Sequence, residues 1–247
     1  MHLKRKVAVV TGSSYGLGKS ICDQLLAAGC KVYGVSRTKP KINSKHFVWI
    51  KADLLDLAKL KKKVWVIKES KVDILINNAG TVVLEKTLHF TDGAFNKTFD
   101  LNFKVPIKIV SLLKTKLEGG VVVNISSTSD RFAEEKYGLY SASKAALNIF
   151  FETVGIENPK IKIINLLPSY MSTPLQHKLV DGTDFDWSLA MNTNDVAKFV
   201  LSIADNNAKF QSGTNVIVVS NKTSGDAKIE RKLWCYNIDS KKLKKLK

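Results

Sequence analysis

Tyr140 and Lys144 lie four residues apart in the string YSASK, the spacing that places two side chains on one face of a helix. A free phenol titrates at about 10, and an ammonium beside it favours the phenolate, bringing proton exchange towards working pH. The pair can therefore serve as a general acid/base. Tyr137 sits one turn earlier, but the residue four beyond it is Ser141, so it lacks such a cation. Tyr140 is the candidate, and Lys144 its electrostatic partner.

A second chemical signal is the string TGSSYGLGKS, which begins where a run of valines ends. Gly12, Gly16 and Gly18 would then occupy a strand-to-helix turn. Glycine permits the turn's dihedral angles and lets a pyrophosphate approach backbone N–H groups, while the following helix offers its positive end. The rest of the chain supplies elements to carry both signals. Runs rich in Val and Ile at Val7–Thr11, Lys31–Ser36, His46–Ile50, Val72–Asn77, Gly120–Ser126, Ile161–Leu167 and Thr214–Ser220 read as strands, with helical patterns in most of the gaps. Such alternation builds βαβ units and a parallel sheet covered on both faces. Gly29 reads as a left-handed helix C-cap, and Asp92 as the cap of a long helix that Pro106 must kink or break.

With 247 residues, 45% of them apolar, the chain can bury one well-formed core, so a single domain over residues 1–225 is expected. Residues 226–247 form a basic extension: from Lys228 onward, eight basic residues face only Glu230 and Asp239. That pattern predicts a solvated, fraying end. The net charge of +17 would suit a polyanion, yet only Arg5, Arg37, Arg131 and Arg231 among the 39 basic residues are arginine. Arginine is the residue that forks onto bases and phosphates, so nucleic acid is not an expected partner. No run approaches the ~20 apolar residues of a membrane-spanning helix. Cys22, Cys30 and Cys235 show neither disulfide nor zinc spacing. No metal is expected, and a cytoplasmic location is.

Five strings occur in one order on the expected strand ends and helices: TGxxxGxG from Thr11, NNAG ending at Gly80, Asn102 in DLNF, NISS ending at Ser127, and YSASK. Ser127 precedes Tyr140 by 13 residues. In these strings the chain resembles the short-chain dehydrogenase/reductases of the compact single-domain type, from Val7 to about Ser220. The resemblance implies a Rossmann-like, doubly wound α/β fold, with a seven-stranded parallel sheet flanked by helices in three α/β/α layers. It implies hydride transfer between a nicotinamide cofactor and a carbonyl or secondary alcohol, since no side chain donates hydride. Ser127, in preference to Ser126, would donate a hydrogen bond to the substrate oxygen. Asn102 would hold a proton-relay water, the alternative being a brace for the kink near Pro106. Lys144 would also bond the nicotinamide ribose.

The cofactor would rest on the turn residues Gly12, Ser14, Tyr15, Gly16, Leu17 and Gly18, and on Asn78, Ala79 and Gly80 after the fourth strand. Tyr140, Lys144, Pro168 and Thr173 would complete the nicotinamide end. Where NAD-using relatives carry an acid after the second strand, this chain has Ser36 and Arg37, with Lys39 and Lys41 beyond. These can hydrogen-bond and neutralise a 2′-phosphate, so NADP(H) is expected in preference to NAD(H). Asp53 and Leu54 would meet the adenine, Asp53 doubling as a helix N-cap.

Departures from the family pattern weaken inference about the substrate end. Ser169 replaces the glycine usual after Pro168, and Ile164 replaces an asparagine, although Asn165 is adjacent. The last strand lacks the usual glycine-rich turn, so a homodimer through the helices containing Asn102 and Tyr140 is expected instead of a tetramer. Residues 174–192 would form a lid, with Leu175, Leu179, Phe185 and Trp187 either lining a partly apolar pocket or facing the core. Arg131 and Glu134 either meet a polar substituent or face water. Two rival readings are a sugar-nucleotide-modifying relative, which calls for TGxxGxxG, and a non-catalytic nucleotide sensor using the basic tail.

Overall fold

The computed structural model describes residues 3–64, 66–222 and 233–245. Its strands are β1 (Val7–Thr11), β2 (Lys31–Ser36), β3 (Phe47–Lys51), β4 (Ile74–Asn77), β5 (Val121–Ile125), β6 (Lys162–Pro168), β7 (Thr214–Val219), β8 (Leu233–Asn237) and β9 (Lys242–Lys245). They form one sheet in the order 3-2-1-4-5-6-7-8-9, parallel except for β9. The chain thus folds as a Rossmann-like, doubly wound α/β protein. Helices α1 (Gly16–Ala27) and α7 (Thr193–Ala204) pack on one face, while α2 (Leu57–Val64), α4 (Val105–Leu113) and α5 (Gly138–Glu157) pack on the other. Two short helices, α3 (Asp92–Phe99) and α6 (Pro174–Leu179), complete the set. Strand order reverses between β1 and β4, which opens a crevice at their C-terminal ends.

The strands are continuous apolar runs because both faces are covered: β1, β4 and β5 are buried at every residue. Helix α1 stops where Gly29 takes φ +86, with Gly29 donating to the Leu26 carbonyl and Cys30 to the Leu25 carbonyl, both at 3.0 Å. This paired closure satisfies two terminal carbonyls and turns the chain into β2.

Four expectations need correction. Among the described residues the sheet has nine strands, not seven, and part of the extension assigned to a fraying end forms β8 and β9. Tyr236 of β8 stacks on Phe199 of α7, with ring centroids 3.7 Å apart and planes within 3°. Residues 226–232 and 246–247 of that extension lie outside the described residues. Thr91, not Asp92, caps α3, its hydroxyl accepting the Ala94 N–H at 3.2 Å. Asp53 caps no helix: its carboxylate accepts the Leu55 N–H at 3.0 Å, and Asp56 serves α2 through the Lys59 N–H at 3.0 Å. The expected kink near Pro106 takes a definite form, a π-helical segment at Asp100–Lys104 that leads into α4. Proline cannot donate to an i−4 carbonyl, so the ladder widens to accommodate it.

Candidate active site

The glycine turn is held by NNAG. The side chain of Asn78 donates to the carbonyls of Thr11 (2.9 Å) and Gly12 (3.2 Å), while the Thr11 hydroxyl accepts the N–H groups of Asn78 (3.0 Å) and Ala79 (3.1 Å). A Cβ on Gly18 would stand 2.2 Å from the Gly12 carbonyl oxygen, so the turn closes only with glycine there. Helix α1 begins at Gly16 with no side-chain cap on its first N–H groups and no acid in its first turn. Those donors remain available to an anion, a fit to the phosphates of a dinucleotide. Of the expected contact residues, Ser14 and Tyr15 are accessible, whereas Leu17 is 4% exposed and packs into the core, leaving only its backbone at the turn.

At the far side of the crevice, Ser36 differs from its expected role. Its buried hydroxyl donates to the Thr38 carbonyl at 2.8 Å and accepts from Ser13 (3.1 Å) and the Trp49 indole (3.2 Å). It is fully occupied with the turn and with β3, and has no bond to spare for a phosphate. Arg37 is exposed. Leu54 is also withdrawn, packed in the core beneath α2 and α4.

The chemistry-bearing end is built by α5, the π-helical segment and the loop after β5. The Tyr140 phenol hydrogen-bonds the Ser127 oxygen, while the Ser127 hydroxyl donates to the Ser129 hydroxyl and accepts the Ser129 N–H, both at 3.1 Å. Ser126 instead buries an unpartnered hydroxyl. Lys144 Nζ donates to the Ile125 carbonyl at 2.8 Å and lies 5.6 Å from the centre of the Tyr140 ring. Gly80 brings NNAG to the same point: a Cβ there would lie 3.3 Å from Asn102 Oδ1 and 3.7 Å from Lys144 Nζ. Asn102 is 1% exposed, its side chain bonded to the Thr81 N–H (2.8 Å), the Thr81 carbonyl (2.9 Å) and Ser143 (3.0 Å). Its amide therefore braces the segment, the second of its two expected roles. A relay water would be left to its backbone carbonyl, whose ordinary α-helical donor would be residue 106, a proline.

Burial reverses the expected proton balance. It pushes the Tyr140 phenol up to about 12, against the lowering hydrogen bond from Ser127 and with the help of the Tyr137 and Glu134 charges. It pulls the Lys144 ammonium down to about 8. Desolvation disfavours the charged form of each, and the ammonium spends its closest hydrogen bond on a carbonyl.

The four-residue step from Tyr140 to Lys144 continues to Asn148 and Glu152, a stripe the sequence reading left unextended. Asn148 donates to Asp130 at 2.8 Å, and its carbonyl accepts from Asn165 at 3.1 Å. Beneath the stripe runs a row of asparagines in register across four strands. Asn77, Asn124 and Asn165 each donate to the next at 2.8 Å, ending at Asn215, which donates to Glu152 at 2.6 Å. Asn165 is thus a structural member of this row.

Thr173 caps α6 and lies beside the glycine turn, its methyl 3.5 Å from where a Gly16 Cβ would be. Pro168 is buried at the end of β6. Within residues 174–192 no residue of α6 is buried. Phe185 meets Tyr170 and Trp187 edge-on at 5.2 and 5.0 Å, and His177 stacks on Trp187 at 3.8 Å. These rings cluster with one another, not with the core, and Tyr170 and His177 had carried no spacing signal.

Sequence comparison agrees with this geometry. The profile of the short chain dehydrogenase family matches residues 6–184. An uncharacterized oxidoreductase of Saccharomyces cerevisiae is 34% identical over 184 residues, 69% of this chain and 72% of that protein. The L-xylulose reductase of Bos taurus is 29% identical over 189 residues, 71% of this chain and 75% of that enzyme. The ligand-free aldohexose dehydrogenase of Thermoplasma acidophilum superposes with a TM-score of 0.80 at 22% identity, covering 87% of this chain and 92% of that one. The chain belongs to the short-chain dehydrogenase/reductase family. It is an oxidoreductase of the kind that acts on CH–OH and C=O groups. No helix among the described residues is long and apolar enough to cross a membrane, and no cluster of metal-ligating residues occurs among them.

Proposed function

We propose that this protein is an NADP(H)-dependent carbonyl reductase whose proton donor is Tyr140. The hydrogen bond joining Tyr140 to Ser127, with Lys144 one turn along, carries the reading. A bound nicotinamide supplies the hydride. Ser127 and Tyr140 hold the carbonyl oxygen, and the Tyr140 hydroxyl gives up its proton as charge builds there. A phenol held at about 12 is fully protonated near neutrality, which suits an acid and so favours reduction. Lys144, titrating at about 8, steadies the developing phenolate while charged. The reduction rate therefore falls as pH rises through that value, and a profile flat to pH 10 would contradict the assignment.

The turn donors of α1 would hold the pyrophosphate, and Gly80, Lys144 and Thr173 the nicotinamide end. The exposed Arg37 supports a 2′-phosphate without Ser36. Arg37→Glu is expected to lower kcat/KM for NADPH by about tenfold or more and to leave that for NADH within a few-fold. A wild-type preference for NADH overturns the cofactor assignment. The substrate is a small carbonyl compound, and the relative named for L-xylulose supports a sugar-like one. Screening aldehydes and ketones for consumption of reduced cofactor tests it.

One catalytic domain, cytoplasmic and homodimeric, would take in residues 1–225 and, through β8 and β9, part of the extension beyond them. Support for the dimer comes from apolar side chains that α5 and α4 leave uncovered, with Ile149 62% and Leu112 36% exposed. Sedimentation of the purified chain decides between monomer and dimer.

A further inference from the structure

Beyond Ser127 and Tyr140, the loop after β5 and the loop after β6 come together through one carboxylate. Glu134 is half-buried and accepts a hydrogen bond from Tyr170. Its backbone carbonyl accepts the Tyr137 N–H at 3.2 Å, which closes the turn leading into α5. Its charge is felt by both Tyr137 and Tyr140, raising each phenol. The basic residues nearest in sequence are engaged elsewhere: Arg131 pairs with Asp130 at 3.4 Å and Lys136 with Glu135 at 3.8 Å. Glu134 is therefore a carboxylate in electrostatic reach of the proton donor, partly stripped of water, whose partner among the described residues is the Tyr170 phenol and not a cation. Behind Tyr170 stand Phe185 and Trp187, edge to face.

A carboxylate so placed has unused acceptor capacity, since each oxygen can take more than one donor. A substrate hydroxyl or ammonium that reaches it gains a charge-assisted bond, while a substrate carboxylate meets like charge in a partly dry site. The aromatic wall accepts a carbon skeleton but discriminates weakly.

We propose that Glu134 is the specificity-determining residue of this site, selecting carbonyl compounds that carry a hydrogen-bond donor near the carbonyl and rejecting those that carry a carboxylate. This inference rests on the reductase reading above. The shared chemistry is donation, from a hydroxyl or from an ammonium, and the two sources are separable by assay.

The test uses four ketones of equal length that differ in one substituent: hydroxyl, ammonium, methyl or carboxylate. Within one protein the ratios of kcat/KM cancel any loss of folded enzyme. Wild-type protein is expected to favour the hydroxyl or the ammonium ketone over the methyl one by about tenfold or more, and to disfavour the carboxylate by at least as much. Glu134→Gln should shrink both ratios, and Glu134→Arg should reverse the second. Tyr170→Phe removes the brace but keeps the charge, so it should preserve the rejection of the carboxylate. The larger of the hydroxyl and ammonium ratios identifies the donor. Equal turnover of hydroxyl, ammonium and methyl ketones by wild type, or ratios unmoved in Glu134→Gln, overturns the assignment to Glu134 while leaving the reductase intact. Absence of turnover with all four, using NADPH or NADH, overturns the reductase reading and this inference with it.

Discussion

The two faces of the sheet are built differently. Towards α1 and α7 the strands present Val10, Ile76, Val123, Leu166 and Val218, an apolar surface meeting apolar helices. Towards α5 four of these five strands, β4 to β7, add the row Asn77, Asn124, Asn165 and Asn215, which meets Asn148 and Glu152. Apolar packing is non-directional and tolerates small slides, whereas hydrogen bonds of this kind fix a helix to a register. The face with the directional contacts is the one whose helix carries Tyr140 and Lys144. One helical turn of slippage would part Tyr140 from Ser127, so the polar row holds the catalytic geometry as well as the fold.

The largest expected effect lies at the stripe's working end. Tyr140→Phe should cut turnover by about 10²- to 10⁴-fold, with nucleotide binding retained in a fluorescence titration. Retention of most activity would detach the stripe from catalysis. Next comes the contrast between faces. Asn165→Leu strands the Asn124 amide and the Asn215 carbonyl oxygen in the interior, costing about 1–3 kcal/mol for each group and lowering kcat as α5 shifts. Ile203→Ala on the apolar face should cost a comparable 2–5 kcal/mol, roughly, by cavity formation, yet leave kcat of the folded enzyme at its wild-type value. Denaturant melts paired with kcat decide the matter: equal loss of kcat in both variants would erase the distinction between the faces.

The smallest effect concerns Asp130, which ties the Ser127 loop to Asn148. Burial, opposed by the Arg131 charge and the Asn148 hydrogen bond and assisted by Glu152, raises its carboxyl from 3.8 to about 6. Between those values the folded chain keeps a proton that the unfolded chain has released. This group's contribution to stability is therefore full below pH 4 or so and lost as pH climbs through 6. Asp130→Asn keeps an acceptor for Asn148 and removes the penalty. It should gain roughly 1–3 kcal/mol at pH 8 and nothing near pH 4. An equal gain at both pH values would mean that packing, not ionisation, is responsible.

Much of the architecture could be read from local signals. Strand runs, the Gly29 cap and the glycine turn each depend on a few neighbouring residues, and all lie within a residue or two of their expected limits. The tail misled because Leu233–Asn237 is flanked by lysines, and what makes it a strand is the free edge of β7. Charge density spoke for solvent, and sheet pairing prevailed. Ser36 misled differently: its position was as expected, but Ser13 and Trp49 consume its hydroxyl. Neither neighbour is close in sequence to the other.

Local signals alone were enough for the first seven strands, for the glycine turn ahead of α1, and for the shared helix face of Tyr140 and Lys144. All of these follow from backbone chemistry and periodicity over short stretches. Only the tertiary structure decided that Ser127 meets Tyr140, that Asn102 is spent on bracing, that four asparagines align, and that the phenol is raised instead of lowered. Proton affinities and long-range hydrogen bonds depend on what packs around a group and how much water it loses. That is a property of the assembled interior, which no short stretch of chain contains.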